Sequence, residues 1–254
     1  MKKLLVVLTF VILCASQAFA TEVNVWGERF DLGIINNFYN GLPGHTSSII
    51  SGNLDSNSLE GVRLLWAVQP ADSYTAAEIA KMALFLSNGG RIAFMGEHGS
   101  YAPDEDQRIS AAIASLGGHI SINLDFPDGG FHDATRDNGQ ILDHTLTNGV
   151  NIYNYACFAS LNVSGPAERL MVGTNHNQVM MAYENIGPGS IFLITDQNVW
   201  DNINGSNDND RMFENLLTGE TGAPPVQAVP EPSTWVLLVT GFAGLALFRR
   251  KLRA

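Results

Sequence analysis

The chain has 254 residues, 45% of them hydrophobic and 15% charged, which is the balance of a globular protein and excludes a collagen-like fibre or a disordered tail. Between residues 21 and 229 it carries eight basic and twenty-four acidic residues, a balance of −16. Because this charge repels a phosphate backbone, we expect no nucleic acid among its partners.

The first twenty residues have the three parts of a secretory signal peptide. Lys2 and Lys3 precede the apolar run 4–13, and Ala18 and Ala20 are the small residues that signal peptidase recognises. We therefore expect signal peptidase to remove residues 1–20.

Two other interpretations of this segment are open. Cys14 could be the lipidated residue of a lipoprotein signal, but the bulky Leu13 stands where that cleavage needs a small residue. An uncleaved anchor is disfavoured, because the apolar run is short and an Ala-x-Ala site follows it.

Five short segments rich in β-branched and aromatic residues, bounded by Gly, Asn or Pro, are predicted strands: 23–26, 62–68, 91–95, 119–124 and 189–195. Several are apolar throughout, as expected when helices cover both faces of a sheet. Two further strands, 168–172 and 178–183, flank a turn-rich loop and predict a late β-hairpin. Residues 125–150 show little periodicity and predict a long surface excursion.

Helical periodicity is present over 75–86, 104–116 and 208–217. Thr75 and Glu78 form the pattern of a capping box, and Gly-Gly pairs end the first two helices. The alternation of strand and helix predicts a doubly wound, mostly parallel, flavodoxin-like α/β sheet with helices on both faces. We expect one such domain over residues 21–218, followed by a Pro- and Gly-rich linker over 219–229.

The end of the chain combines three features: Pro230-Glu231-Pro232, the apolar stretch 235–248, and the cationic residues Arg249, Arg250, Lys251 and Arg253. The stretch is short for a membrane helix, which typically needs about 20 residues. A buried core helix is the alternative, but the prolines separate the stretch from the body, and terminal cations hold a tail on the cytoplasmic side. We therefore expect one membrane helix at 235–248.

This tail resembles the PEP-CTERM sorting signal of Gram-negative bacteria over residues 230–254. The resemblance implies export across the inner membrane, transient anchoring by the tail, and cleavage near residues 230–232 by an exosortase. It also implies a cell surface or extracellular matrix rich in exopolysaccharide, as in biofilms.

The body resembles the class I glutamine amidotransferase-like superfamily, in particular proteins similar to the trehalose-utilisation (ThuA) type. The segments that carry the resemblance are 64–70 (LLWAVQP), 85–96 (FLSNGGRIAFMG), and 187–190 (GPGS) leading into 193–196 (LITD). The resemblance implies a reactive residue where strand 91–95 turns toward the next helix. Enzymes of the superfamily place a cysteine there, beside backbone N–H groups that stabilise an oxyanion.

Gly-Glu-His-Gly-Ser occupies that position, over residues 96–100, without a cysteine. The candidate catalytic residues are therefore Glu97, His98 and Ser100. The alternative is a shaped loop without chemistry, whose glycines permit a tight turn. Cys157, the one cysteine left after both cleavages, lies among aromatic residues, and we expect a buried, inert thiol and no glutamine hydrolysis.

The most polar segment, 196–210, follows a predicted strand, and ligand crevices in open α/β sheets lie beyond the carboxyl ends of strands. Its candidate ligand residues are Asp196, Asn198, Asp201 and Asn202. Oxygen-rich loops suit calcium, but the EF-hand alignment puts Trp200 at a ligand position. A solvated loop that caps the last helix is the alternative. The six histidines show no ligand spacing, so we expect no transition metal. We expect no cofactor, with calcium in this loop as the alternative.

Five aromatic residues are candidates for a sugar-stacking surface, with core packing as the alternative: Trp26, Tyr101, Phe131, Tyr153 and Trp200. Together with the tail, they favour an exported, exosortase-processed cell-surface or extracellular-matrix protein. We expect a noncatalytic binding or scaffold role linked to exopolysaccharide.

The alternative function is a periplasmic or extracellular hydrolase of the amidotransferase-like superfamily. It would use a crevice near Glu97, His98 and Asp196, and would need these side chains to converge with perturbed pKa values.

Overall fold

The fold is that of a computed structural model, which describes residues 21–203 and 205–218. The predicted signal peptide, the linker and the sorting tail, with its membrane helix at 235–248, lie outside the described residues. Within the described part, no helix combines the length and the apolar composition that crossing a membrane requires.

A nine-stranded sheet forms the centre of the fold. Its parallel part contains, in spatial order, β2 (His45–Ile49), β1 (Thr21–Gly27), β3 (Val62–Val68), β4 (Arg91–Met95) and β11 (Gly189–Ile194). The predicted strands at 62–68 and 91–95 are confirmed to the residue. This arrangement confirms the mostly parallel α/β sheet.

The sheet continues in antiparallel fashion through β10 (Val179–Ile186), β8 (Leu161–Val163) and β5 (Ile120–Ile122), and β9 (Glu168–Val172) also pairs with β10. The predicted late hairpin is confirmed as β9 and β10. The predicted strand 119–124 is present but shorter, and it lies in the antiparallel part of the sheet, paired with β8. The place beside β4 in the parallel part is taken by β11.

Four α-helices accompany the sheet: α1 (Leu32–Gly41), α2 (Ala76–Ser87), α3 (Pro103–Ser115) and α4 (Asn209–Thr218). The last three confirm the predicted helices within one residue at each end. The Thr75 and Glu78 capping box is present, with the Thr75 side chain accepting from the Glu78 N–H and Glu78 accepting from the Thr75 N–H. Helix α1 and strand β2 lie between predicted strands, in segments where the sequence analysis predicts no helix or strand.

Two cores sandwich the sheet, because successive side chains of each strand point to opposite faces. Leu64 and Trp66 of β3 face a core that contains the buried residues of α1 and α4. Leu65 and Ala67 face a second core that contains those of α2 and α3. The predicted cover of helices on both faces is therefore confirmed.

Residues 125–150 are partly a structural element rather than a surface excursion. They contain β6 (His132–Thr135), which pairs in antiparallel fashion with β7 (Ile152–Tyr155) as a separate ribbon. Ala134, Leu146 and Val150 are fully buried. The segment has so little periodicity because it contributes single side chains to the core rather than one face of a long element.

Arg91, the first residue of β4, is fully buried between the sheet and the last helix. Its Nε donates to Ser190 Oγ at 3.0 Å, and its Nη1 donates to the Leu216 carbonyl near the end of α4. The guanidinium also lies 5.6 Å from the centre of the Tyr183 ring. Burial lowers the pKa of this side chain.

Candidate functional site

Polar residues follow three adjacent parallel strands at the carboxyl edge of the sheet. Gln69 follows β3, Glu97 lies two residues beyond β4, and Asp196 and Gln197 follow β11. Because these strands are neighbours in the order β3, β4, β11, their ends meet at one place. The sequence thus brings Glu97 and Asp196 to the same edge, as expected.

Glu97 is only 1% exposed, and its carboxyl group points into the protein. Oε1 accepts the N–H of His98 at 2.9 Å, and Oε2 accepts the N–H of Gln197 at 3.1 Å. The side chain therefore joins the loop after β4 to the loop after β11. Burial raises its pKa to about 8, an effect that Asp196 and Asp106 reinforce.

Two further carboxyl groups are buried around Glu97. Asp106 of α3 accepts the Glu97 N–H at 3.0 Å through Oδ1, while its Oδ2 is buried without a hydrogen-bond partner. Asp196 accepts the N–H of Ala156 at 2.6 Å. Burial raises the pKa of Asp106 and of Asp196 to about 7 each. All three groups therefore titrate near neutral pH.

Gly96 and Gly99 allow close approach of neighbouring atoms rather than a strained turn. A Cβ on Gly96 would lie 2.4 Å from Asp106 Oδ1, and one on Gly99 would lie 2.4 Å from the backbone carbon of Leu124. Neither glycine has a positive φ. A tight turn that contains Gly99 is present, because the N–H of Tyr101 donates to the His98 carbonyl at 2.9 Å. Glu97 does not adopt a left-handed conformation.

Ser100 and His98 form a hydrogen bond of 2.9 Å between Oγ and Nδ1. The His98 ring lies 4.4 Å from the Phe126 ring, measured between centroids, and partial burial lowers the pKa of His98. The Glu97 carboxyl is used on backbone N–H groups, so it does not orient the imidazole. The structure brings Glu97 and Asp196 together but turns His98 toward an aromatic neighbour.

Gln69 and Gln197 complete the carboxyl edge, and sequence reasoning missed both. Gln69 is buried, has a φ of 33°, and donates from Nε2 to Gln197 Oε1 at 2.8 Å. Asp106 was also missed, because an acid in the first turn of a helix is ordinary. A polar residue directly after a buried strand was the available signal for Gln69.

In the predicted ligand loop, some side chains form hydrogen bonds with backbone N–H groups, and others are exposed. Asp196 also accepts the Asn198 N–H at 2.8 Å, and Asp208 accepts the N–H groups of Asn151 and Ile152. These carboxylates fasten the loop to β7 instead of facing solvent. Asp201 is exposed, and Asn202 is half-buried. Across residues 21–203 and 205–218, no three acidic, histidine or cysteine side chains are grouped for a metal ion.

Three of the five aromatic candidates belong to the core. Trp26, Tyr153 and Trp200 are at most 8% exposed, and Trp200 stacks on Phe213 with ring centroids 4.1 Å apart. Tyr101 and Phe131 are each 62% exposed. Cys157 is half-buried and unpaired, so the prediction of a buried thiol is wrong.

A match to a known sorting motif lies in the part of the sequence outside the described residues. Residues 228–251 match the PEP-CTERM protein-sorting motif. The match supports an exported protein that an exosortase sorts to the cell surface. No curated protein matches the sequence.

Solved structures share the fold of the body at low sequence identity. The mmIFT52 N-terminal domain is 18% identical with a TM-score of 0.59, and the match covers 79% of this chain and 99% of that chain. A putative ThuA-like protein from Parabacteroides merdae is 11% identical with a TM-score of 0.50, covering 84% and 93%. A β-galactosidase from Bacillus circulans is 12% identical with a TM-score of 0.51, covering 77% of this chain but only 30% of that chain. At these identities, the likenesses show that the body shares its fold with these proteins.

Proposed function

We propose that this is an exported, exosortase-processed protein of the cell surface or extracellular matrix whose body binds extracellular polysaccharide without catalysis. One observation carries the noncatalytic part. Glu97, one of the three candidates in the segment 96–100 that takes the place of the superfamily's nucleophile, is 1% exposed and accepts a backbone N–H with each carboxyl oxygen.

A catalytic group has to reach the substrate, and Glu97 is directed away from solvent. Its raised pKa follows from burial, which structural carboxyl groups share with catalytic ones. The neighbouring Asp196 is likewise 4% exposed and bonded to backbone N–H groups. The carboxyl edge therefore joins three loops and leaves no acid available for proton transfer to a ligand.

The choice of a polysaccharide ligand has two supports. The PEP-CTERM motif directs the protein to the cell exterior, where polysaccharide is an abundant polymer in the bacteria that the resemblance implies. In addition, the fold occurs as part of a β-galactosidase chain, which makes glycans the first ligands to test.

A hydrolase is the second candidate, because Ser100 Oγ and His98 Nδ1 lie 2.9 Å apart. A nucleophile and base of this kind are usually oriented by a third group. No carboxyl group in the described part of the chain accepts a hydrogen bond from the His98 ring, and both oxygens of the neighbouring Glu97 accept backbone N–H groups instead. The binding proposal is therefore preferred.

One experiment separates the two candidates. The processed protein is purified from its host and incubated with the polysaccharide of that host, and bound polymer and released fragments are both quantified. We expect binding without release of fragments. Release that disappears in Ser100→Ala and His98→Ala, but not in the exposed control Ser58→Ala, would establish the hydrolase instead.

A further inference from the structure

A polar groove lies outside the carboxyl-edge site, between the β6–β7 ribbon and the loop that follows β11. Its volume is about 310 Å³. It is lined by Phe131, Asp133, Asn154, Asn202, Ser206 and Asn207. Ligand pockets in proteins typically begin at about 300 Å³, so the groove has room for a small ring rather than a long chain.

One wall of the groove is a solvent-exposed aromatic side chain. Phe131 is 62% exposed, whereas Tyr153 and Tyr155 of the adjacent strand are buried. A large apolar ring beside polar groups marks a surface for a ligand that has both an apolar face and hydrogen-bonding groups. A sugar ring has this character, because its C–H groups form apolar faces and its hydroxyl groups project at the edge.

The other walls provide donors and acceptors in fixed positions. The Asn154 side chain donates to Asp133 Oδ1 at 2.6 Å, and the Asn207 side chain donates to the Asn202 carbonyl at 3.0 Å. The Asn154 backbone N–H donates to Asn209 Oδ1 at 2.8 Å, which ties the ribbon to the start of α4. These bonds orient the groove before a ligand arrives, which reduces the entropy cost of binding.

The groove wall also carries an accessible acceptor. Asp133 is exposed, and its Oδ1 accepts the Asn154 side chain. A carboxylate accepts several hydrogen bonds, so Asp133 can also accept one from a hydroxyl group of a ligand. The Nδ2 group of Asn202 is buried without a hydrogen-bond partner among the described residues and is out of reach of a ligand in the groove.

We propose that this groove binds one sugar unit of a neutral glycan, with Phe131 stacking on the ring and Asp133 accepting a hydrogen bond from a hydroxyl group. The inference rests on the proposed function and assigns a binding site to the polysaccharide ligand. Neutral glycans fit better than uronate or sulfate polymers, because Asp133 lines the groove and the body carries a balance of −16.

The test uses the full chain expressed in its host and collected after export. Binding of cellohexaose, mannohexaose and maltohexaose is measured by titration calorimetry, with hexagalacturonate as the anionic probe of equal length. Phe131→Ala and Asp133→Ala are compared with Leu84→Ala, which removes a large apolar side chain of 59% exposure outside the groove lining. Phe131→Trp keeps an aromatic face at the same position.

We expect at least one neutral hexasaccharide to bind and hexagalacturonate not to bind. Phe131→Ala should weaken binding by about tenfold or more, Asp133→Ala by roughly fivefold, and Phe131→Trp and Leu84→Ala by less than about twofold. If the native chain binds a neutral probe and Phe131→Ala binds it equally well, the groove is the wrong site while the proposed function stands. If no neutral probe binds, this inference fails, whereas the proposed function fails only if the polysaccharide of the host is not bound either.

Discussion

Three carboxyl groups, those of Glu97, Asp106 and Asp196, titrate near neutral pH because they are buried at the carboxyl edge of the sheet. Each accepts backbone N–H groups, and these bonds only partly offset the cost of removing a carboxylate from water. Burial thus produces the pKa pattern of an active site, while the hydrogen bonds show a connection between loops.

This arrangement predicts that the free energy of unfolding falls as pH rises. The pKa of Glu97 is raised from 4.5 to about 8, so between these values the folded protein binds more protons than the unfolded chain. The contribution of Glu97 to the free energy of unfolding is therefore complete below about pH 4, and it is lost as the pH rises through the folded pKa. Because one pKa unit corresponds to about 1.4 kcal/mol, Glu97 alone contributes a few kcal/mol. Urea denaturation at pH 5 and pH 8 measures the difference.

Glu97→Gln is the variant that tests the origin of this pH dependence. A neutral side chain at this position should make the loss of stability between pH 5 and pH 8 smaller. Glu60→Gln removes a carboxylate on the protein surface and serves as the control. A loss of stability as large in Glu97→Gln as in the native protein would refute the assignment to Glu97.

Gly99 provides a second prediction, on packing. Its added methyl group would meet the Leu124 backbone at 2.4 Å, and backbone atoms cannot move aside as a side chain can. Gly99→Ala should therefore destabilise the protein by about 2 kcal/mol, as overpacking does elsewhere. In Gly41→Ala the methyl group would find no atom within 4 Å, and this variant should leave the denaturation midpoint unchanged or raise it. Equal midpoints for the two variants would contradict the role of close approach.

At the scale of elements, strands with continuous apolar sequence were predictable, and helix α1 was not. β3 and β4 are buried along nearly their whole length, which leaves a direct trace in composition. Helix α1 contains two glycines and three asparagines, residues of low helix propensity. It forms because the Asp31 side chain caps its first turn and because Ile35 and Tyr39 are buried against the sheet.

The position of the candidate site was predictable from the sequence, but the orientation of its side chains was not. The order of the parallel strands puts Glu97 and Asp196 at one edge, and sequence periodicity is sufficient to indicate that order. Whether a side chain faces solvent depends on which backbone N–H groups lie within its reach. For Glu97 one of these belongs to Gln197, 100 residues away along the chain, a distance over which spacing carries no information.

Arg91 supports a prediction about how the last helix is attached. Its guanidinium reaches Ser190 on β11 and the Leu216 carbonyl on α4 with two different nitrogen atoms. A lysine carries its three donors on one nitrogen, which cannot occupy the positions of both Nε and Nη1, so Arg91→Lys should lower the free energy of unfolding by about 2 kcal/mol. Arg63→Lys, at an exposed position of β3, is the matched control and should change it by less than about 0.5 kcal/mol. Thermal denaturation of both variants decides, and equal losses would refute the anchoring role.

At the scale of the whole molecule, charge and hydropathy are segregated along the chain. The acidic body is followed by an apolar stretch and a cationic end that contains Arg249, Arg250, Lys251 and Arg253. Cations at the end of an apolar segment favour retention of that end on the cytoplasmic side. The same physical pattern that predicts anchoring therefore coincides with the residues of the sorting motif.

Export predicts an outcome that separates sorting from simple anchoring. In a host with an active exosortase, the protein should leave the inner membrane fraction, and its intact mass should lack both residues 1–20 and the tail beyond the cleavage site. Replacing Pro230, Glu231 and Pro232 by alanine should keep the tail attached and the protein in the membrane fraction, as should deletion of the exosortase. Alanine at Pro224 and Pro225 alters two prolines outside the motif match and should leave processing unchanged. If the 230–232 variant is released with the native mass, the Pro-Glu-Pro segment is not the signal, and the tail acts through its hydropathy and charge alone.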